Sequence, residues 1–195
     1  MSPAIKRYAV LIAGVGLAAA MTLTAAWPAS AQPARDVTGA SEQAQLQQEV
    51  DSVLRAMPGA RQISQNQVAI DDFTIVTMPL PGERVARGSG EPVGTLGTPN
   101  CPSLWICVWS GTNFDGNRLQ RTTCGFDDIG KIAYPGGGFW NDRARSYHNN
   151  QSRGTRSVFF DYSGSGPHWD KVLTTTAPSS SPDIGRARTD GIFVC

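Results

Sequence analysis

Histidine is scarce in this sequence, and the residue patterns of common hydrolases are missing. The two histidines are His148 and His168, and neither has a second histidine at the spacing of a helical zinc site. No Gly-x-Ser-x-Gly segment places a serine nucleophile on a sharp turn. These absences argue against zinc and serine hydrolases, so we expect a protein that has no catalytic residues and is not an enzyme.

An excess of positive charge is also missing. The chain has 17 Lys and Arg against 16 Asp and Glu, and removing Lys6 and Arg7 with a predicted leader leaves 15 against 16. Proteins that bind nucleic acid usually carry a clear basic excess, because they must neutralise phosphates. The near balance therefore predicts no nucleic-acid partner.

Long apolar runs are confined to the first residues. Lys6 and Arg7 precede an apolar run over 9–26, and Ala29-Ser30-Ala31 supplies the small-x-small pattern that signal peptidase recognises. A membrane-anchored helix is the alternative, because the run approaches the length of a membrane span. No basic cluster follows the run, so we predict a signal peptide over residues 1–31, an extracellular location and no membrane partner after cleavage.

Cysteine is limited to four residues, all beyond the predicted leader: Cys101, Cys107, Cys124 and Cys195. An even number of cysteines in an exported chain predicts two disulfides. Three pairings are possible, and the close spacing favours Cys101–Cys107, which leaves Cys124–Cys195. A zinc site is the alternative, but no Cys-x-x-Cys pair supports it.

A helix and a hairpin are predicted in the segment 32–78. One apolar stripe at helical spacing runs through residues 41–57, and Pro58-Gly59 ends it. Two β-prone runs, 67–70 and 73–77, flank the turn-tolerant pair Asp71-Asp72 and predict a hairpin. These elements are too short to bury a core alone. They either pack on the rest of the chain or form a removable pro-segment.

Residues 79–100 carry prolines and glycines without periodicity, which predicts a linker before a disulfide-stapled domain at 101–195. Within it, Arg84-Val85-Ala86-Arg87 is either a processing site or solvated charge. In the domain, short β-prone runs separated by glycine and proline clusters predict an all-β Greek-key sandwich. The predicted strands cover 104–109, 118–122, 145–148, 157–162, 169–175 and 192–194.

The segment 101–116 has the most informative pattern. It joins the short cysteine loop to Trp109, four residues, Phe114, one residue and Gly116. A glycine can take a positive φ at no steric cost, which lets the chain fold back after a strand, and the two aromatic rings would cover that turn.

This spacing resembles the Greek-key signature of the βγ-crystallins. The cysteine loop followed by an aromatic and Ser110-Gly111-Thr112 resembles more narrowly the secreted microbial peptidase inhibitors of βγ-crystallin fold, whose characterised member blocks thermolysin-type metalloproteinases. The resemblance implies a βγ-crystallin-like sandwich over 101–195. It also implies an extracellular protease as partner, with metalloproteases as the candidate class; we further expect a monomer.

The family pattern also implies a candidate calcium site at Asn141, Asp142 and Ser146. The stretch 141–146 resembles the calcium motif of two Asn/Asp, two variable residues and Ser/Thr-Ser. Arg145 departs from it, because a guanidinium supplies no oxygen and repels the ion. The matching stretch of the second half, 187–191, keeps one acid, Asp190. We therefore expect no cofactor and a turn-capping role for Asn141 and Asp142. Binding of Ca²⁺ at this stretch is the alternative.

The resemblance predicts inhibition by a rigid loop that occludes a protease cleft, but it identifies no reactive residue. The characterised inhibitor presents its loop inside a second short disulfide, whereas Cys124–Cys195 would be a long one. Two tracts could hold a reactive loop or be plain connectors: Asp127–Trp140 and Thr176–Arg188. The alternative function is an extracellular binding module for a cell-wall polymer, carbohydrate or calcium, with Trp140 and Trp169 exposed together to stack on a sugar. A toxin-like protein is a third possibility.

Overall fold

The structure of the protein is a computed structural model that describes residues 37–164, 168–185 and 188–195. The predicted signal peptide over 1–31 lies outside the described residues. Within the described ranges, no helix is both long enough and apolar enough to cross a membrane.

The helix α1 spans Val37–Ala56 and forms because its apolar residues recur at helical spacing. Three of them, Leu46, Val50 and Val53, are buried. The helix ends before Pro58-Gly59, where Gly59 adopts φ +92°, a conformation that stops a helix at little steric cost. The predicted helix is confirmed, with its start four residues earlier than expected.

Eleven strands lie in the described residues, together with two short 3-10 turns at Thr112–Phe114 and Ile129–Lys131. The strands are β1 (Arg61–Ser64), β2 (Gln67–Ala69), β3 (Thr74–Thr77), β4 (Ile106–Trp109), β5 (Arg118–Arg121), β6 (Gly125–Asp128), β7 (Ser146–Asn149), β8 (Arg156–Tyr162), β9 (Trp169–Thr176), β10 (Ser179–Ser181) and β11 (Gly191–Val194). The predicted hairpin is the pair β2–β3. The strands β1, β6 and β10 were not predicted.

The strands form two antiparallel sheets. The first has the order β1-β2-β3-β5-β4-β7-β10 and the second β6-β11-β8-β9. Each half of the domain gives one strand to the other half's sheet: β6 joins the second sheet and β10 the first. This exchange produces two interlocked Greek keys, so the predicted all-β Greek-key sandwich is confirmed.

The N-terminal hairpin extends the first sheet of the domain. β3 pairs with β5 from Thr74 opposite Arg121 to Thr77 opposite Arg118. Side chains of α1 and of the hairpin belong to the same buried cluster as side chains of both sheets. Within this cluster, the rings of Tyr147 from the first sheet and Phe159 from the second lie 5.5 Å apart. Residues 37–78 therefore share one sheet and one core with 101–195.

The segment 79–100 runs along the domain without regular secondary structure, but it is anchored. Val85 and Ala86 are buried, and Val85 forms a bridge with Gly116. Glu91 accepts two hydrogen bonds from Arg118, at 2.8 and 2.9 Å. A processing protease would thus have to extract buried residues to cut within 84–87.

Candidate functional site

The turn after β4 is built around two buried aromatic rings. The centroids of Trp109 and Phe114 lie 5.2 Å apart at an interplanar angle of 75°. Gly116 follows with φ +77°, and a Cβ at this position would collide with Ser110 Oγ. The backbone here therefore requires glycine, and the contacts of all three signature residues are those of a turn.

Both predicted disulfides are present. Cys101 pairs with Cys107 across six positions, and Cys124 pairs with Cys195 across 71. All four cysteines are thereby committed, which rules out the alternative of a zinc site built from them.

The ring closed by Cys101–Cys107 contains a tight turn from Pro102 to Trp105. The Trp105 N–H donates to the Pro102 carbonyl at 3.3 Å, and Leu104 stands at the tip with 57 % of its surface exposed. Leu104 adopts φ +72°, a conformation that costs a residue with a Cβ about 1 kcal/mol or more.

Hydrogen bonds to neighbouring segments hold this ring in place. The Leu104 N–H donates to the Asn150 carbonyl at 2.8 Å, and the Asn150 N–H donates to the Trp105 carbonyl at 2.9 Å. Asn150 Nδ2 donates to the Cys101 carbonyl at 2.9 Å, and Thr122 Oγ1 donates to the Leu104 carbonyl at 3.0 Å. The ring is therefore held by hydrogen bonds to Asn150 and to Thr122.

The two tracts singled out from the sequence are also held by backbone hydrogen bonds, which include those from the Trp140 N–H to the Ile132 carbonyl and from the Ala177 N–H to the Thr155 carbonyl. Asp127–Trp140 ends in an exposed tip, where the Tyr134 N–H bonds to the Gly138 carbonyl at 2.9 Å and Phe139 is half exposed. In Thr176–Arg188, positions 186 and 187 lie outside the described residues, and the exposed positions of the remainder are polar residues, glycine and proline.

The two tryptophans proposed to stack on a sugar do not share a surface. Trp140 is fully buried and packs edge-on against Tyr134, with centroids 5.2 Å apart. Trp169 is partly exposed and contacts Phe126 and Tyr162, at 4.7 and 5.1 Å between centroids. The prediction that Trp140 and Trp169 are exposed together was therefore wrong, because Trp140 fills the core between the sheets.

The structure separates the three residues of the predicted calcium motif. Ser146 Oγ is buried, donates to the Gly111 carbonyl at 2.7 Å and accepts the Phe114 N–H at 3.2 Å, so it ties β7 to the turn after β4. Asn141 and Asp142 instead line an open cavity of about 490 Å³, together with Tyr162 and other residues.

Asp142 meets two carboxylates that the motif does not contain. One oxygen each of Asp142, Asp161 and Asp190 lies within 4.8 Å of the others. Asp190 is 8 % exposed, and its Oδ2 accepts the Tyr162 N–H at 2.9 Å. Burial raises the pKa of Asp190, and the negative charges of Asp142 and Asp161 add to this effect.

Sequence reasoning found Asp142 but missed the role of its neighbours. Asp190 was visible as the lone acid of the second half, whereas Asp161 lies inside a strand and gives no motif signal. Leu104 was missed because its exposure and positive φ are properties of the folded ring.

Comparison with known proteins agrees with the pattern of the cysteine loop. Residues 95–170 match the model of peptidase inhibitor family I36, which confirms the resemblance and indicates a protein that is not an enzyme. A solved structure described as "Evolution of the eye lens beta-gamma-crystallin domain fold" is 15% identical, with a TM-score of 0.35, and the match covers 52% of this chain and 93% of that chain. No curated protein matches the chain.

Proposed function

We propose that this protein is an extracellular peptidase inhibitor that occludes a protease cleft with a rigid loop. The match of residues 95–170 to an inhibitor family carries the proposal. The mechanism is supported by a β-sandwich stapled by two disulfides, because a loop that is ordered before binding loses little conformational entropy on association.

The extracellular location is supported by the chemistry of the cysteines. Disulfides persist in oxidising compartments and are rare where thiols are kept reduced. The predicted signal peptide points the same way. The partner that we propose is a secreted protease, with thermolysin-type metalloproteases as the first class to test, and the inhibitor would act as a monomer.

The test is a panel of proteases with a fluorogenic substrate. Oxidised protein covering residues 32–195 is titrated against thermolysin-type, subtilisin-type and trypsin-type enzymes. The proposal predicts stoichiometric inhibition of at least one class, preferably the first. Full protease activity in every class, with an intact folded protein present, would overturn it.

A second candidate function, calcium binding, is favoured by the carboxylate cluster of Asp142, Asp161 and Asp190. We propose that these carboxylates would hold Ca²⁺, which prefers oxygen ligands and high negative charge. Burial and the mutual repulsion of these carboxylates raise the pKa of Asp190, which supports the proposal because a divalent cation would relieve the repulsion. Arg188 competes for the site, since its guanidinium lies 3.7 Å from Asp161.

Thermal unfolding tests calcium binding. Millimolar CaCl₂ should raise the melting temperature above that in NaCl of equal ionic strength, since a hundredfold excess over Kd adds about 2.7 kcal/mol. Asp190→Asn should abolish the increase, whereas Asp72→Asn, an exposed surface carboxylate, should leave it intact. Equal melting temperatures in the two salts would rule out the site.

A further inference from the structure

The Cys101–Cys107 ring combines three features. It is covalently closed over a short span, it presents a large apolar side chain to solvent, and that side chain belongs to a residue with a positive φ, Leu104. Strained backbone of this kind persists where surrounding contacts enforce it, and it is common at ligand-binding sites.

The Leu104 side chain is not needed to fill the core. The position is the third residue of a turn, where glycine would avoid the strain. More than half of the leucine side chain is exposed, so the chain carries an apolar group that contributes little to its own core. A role in recognising another molecule accounts for both facts.

The backbone of Leu104 is already fully used within the protein. Its N–H is bonded to the Asn150 carbonyl, and its carbonyl accepts the Thr122 hydroxyl. A protease that binds substrates as extended strands needs these groups free and a negative φ. The ring can therefore offer a side chain to a cleft while withholding a cleavable, extended backbone.

The ring is also joined to an interior strand of the first sheet. Its C-terminal end, Ile106-Cys107, begins β4, which is hydrogen-bonded to β5 on one side and β7 on the other. An indentation of about 400 Å³ adjoins its N-terminal end and is lined by Val93, Pro99 and Pro102, among others. Val93 is 70 % exposed, which enlarges the apolar surface next to the ring.

The other two tracts offer less to an apolar subsite. The tip of Asp127–Trp140 carries three glycines at 136–138, which have no side chains to fill a pocket, and its exposed apolar residue, Phe139, is not enclosed by a short disulfide ring. The described part of Thr176–Arg188 exposes mainly polar residues, and it lies beyond the segment 95–170 that matches the inhibitor family.

We propose that the Cys101–Cys107 ring is the inhibitory loop and that the Leu104 side chain enters an apolar specificity subsite of the target protease. This inference rests on the proposed inhibitor function. The ring binds through this side chain and the adjoining apolar surface. It resists cleavage because its backbone is held by Asn150, Thr122 and the disulfide.

The decisive variant is Leu104→Gly. Glycine removes the side chain and tolerates φ +72°, so the melting temperature should stay the same or rise. Inhibition of the protease identified by the panel should weaken by about 10- to 100-fold, as expected for losing a buried leucine at an interface. Leu104→Met, which keeps an apolar side chain of similar size, should retain most of the inhibition.

Control variants separate this inference from the function on which it rests. Phe139→Ala removes the exposed apolar residue at the tip of the tract Asp127–Trp140 and should leave the inhibition constant unchanged. If the wild-type protein inhibits a protease and Leu104→Gly inhibits it equally well, the inference fails while the inhibitor function stands. If the wild type inhibits no protease of the panel, both proposals are overturned.

Discussion

Arg118 is fully buried and donates two hydrogen bonds to the carboxylate of Glu91, which lies 27 positions earlier in the chain. Arg118 Nη1 also donates to the Asn100 carbonyl at 2.8 Å. A guanidinium held by a carboxylate in this two-pronged geometry forms strong, charge-assisted bonds. This pair fastens the proline- and glycine-rich segment 79–100 to the centre of the first sheet.

Removing the carboxylate should destabilise the fold strongly. Glu91→Ala leaves the charge of Arg118 buried without its partner, which typically costs about 3–5 kcal/mol. Urea unfolding followed by tryptophan fluorescence measures this loss. Asp72→Asn, which breaks the exposed pair with Arg61, is the matched control and should cost at most about 1 kcal/mol. A loss for Glu91→Ala no larger than that of the control would show that the pair does not anchor the segment.

The same pair predicts how stability depends on pH. Burial alone raises the pKa of Glu91, but the hydrogen bonds and charge of Arg118 outweigh it. Together with smaller contributions from a backbone hydrogen bond of Gly88 and the charge of Arg87, they hold the pKa below its ordinary value of 4.5. A lowered pKa in the folded state means that the stabilisation is present above about pH 4.5 and is lost as the pH falls through the folded-state pKa.

Urea midpoints between pH 3 and 7 test this dependence. Burial raises the pKa values of Asp127 and Asp190. Ionisation of these two carboxylates therefore lowers the stability of the fold as the pH rises, whereas ionisation of Glu91 increases it. The difference between wild type and Glu91→Gln isolates the contribution of Glu91. That difference should shrink as the pH falls below 4.5, and a difference that stays constant over the whole range would contradict the assignment.

The N-terminal segment should be necessary for a stable domain. Met78 is fully buried in the same cluster as residues of both sheets, so Met78→Ala should cost about 2–5 kcal/mol in the free energy of unfolding. A fragment of residues 101–195 exposes the edge of β5 and the charge of Arg118. It should bind a hydrophobic dye and unfold without a cooperative transition, and a sharp thermal transition near that of the longer protein would contradict this.

The two disulfides should contribute differently to stability and to inhibition. In the chain-entropy model, Cys124–Cys195 contributes about 4 kcal/mol and the short Cys101–Cys107 ring about 2 kcal/mol. Paired serine substitutions at each bridge, compared by urea unfolding and by the inhibition constant, measure both effects. Opening the short ring should weaken inhibition more than its smaller loss of stability explains. If the folded variant without this ring inhibits as well as the wild type, the ring is not the inhibitory loop.

Local sequence patterns predicted the elements whose signals are local. Helical spacing identified α1, short β-prone runs identified most strands, and the count and spacing of cysteines identified both disulfides. The pairing of β3 with β5 was not predictable, because it joins residues more than forty positions apart and no local pattern specifies the partner strand.

The candidate sites were less predictable, because they depend on side chains brought together by folding. Proline and glycine content predicted an irregular segment at 79–100 but could not show that Glu91 reaches a buried arginine. Trp140 was expected at the surface in the alternative binding module, whereas the fold buries it completely. The exposure of Leu104 and the meeting of Asp142 with Asp161 follow from turn geometry and strand register.

Blocking of a protease by an intact chain is the most direct test of inhibition through a rigid loop. The protease that responds in the panel is titrated with oxidised protein, and the complex is then examined by mass spectrometry. We predict that protease activity falls linearly to zero near one equivalent while the Cys101–Cys107 ring stays uncleaved. Activity that never falls, or that recovers as the ring is cut at Leu104, would contradict inhibition by a rigid loop.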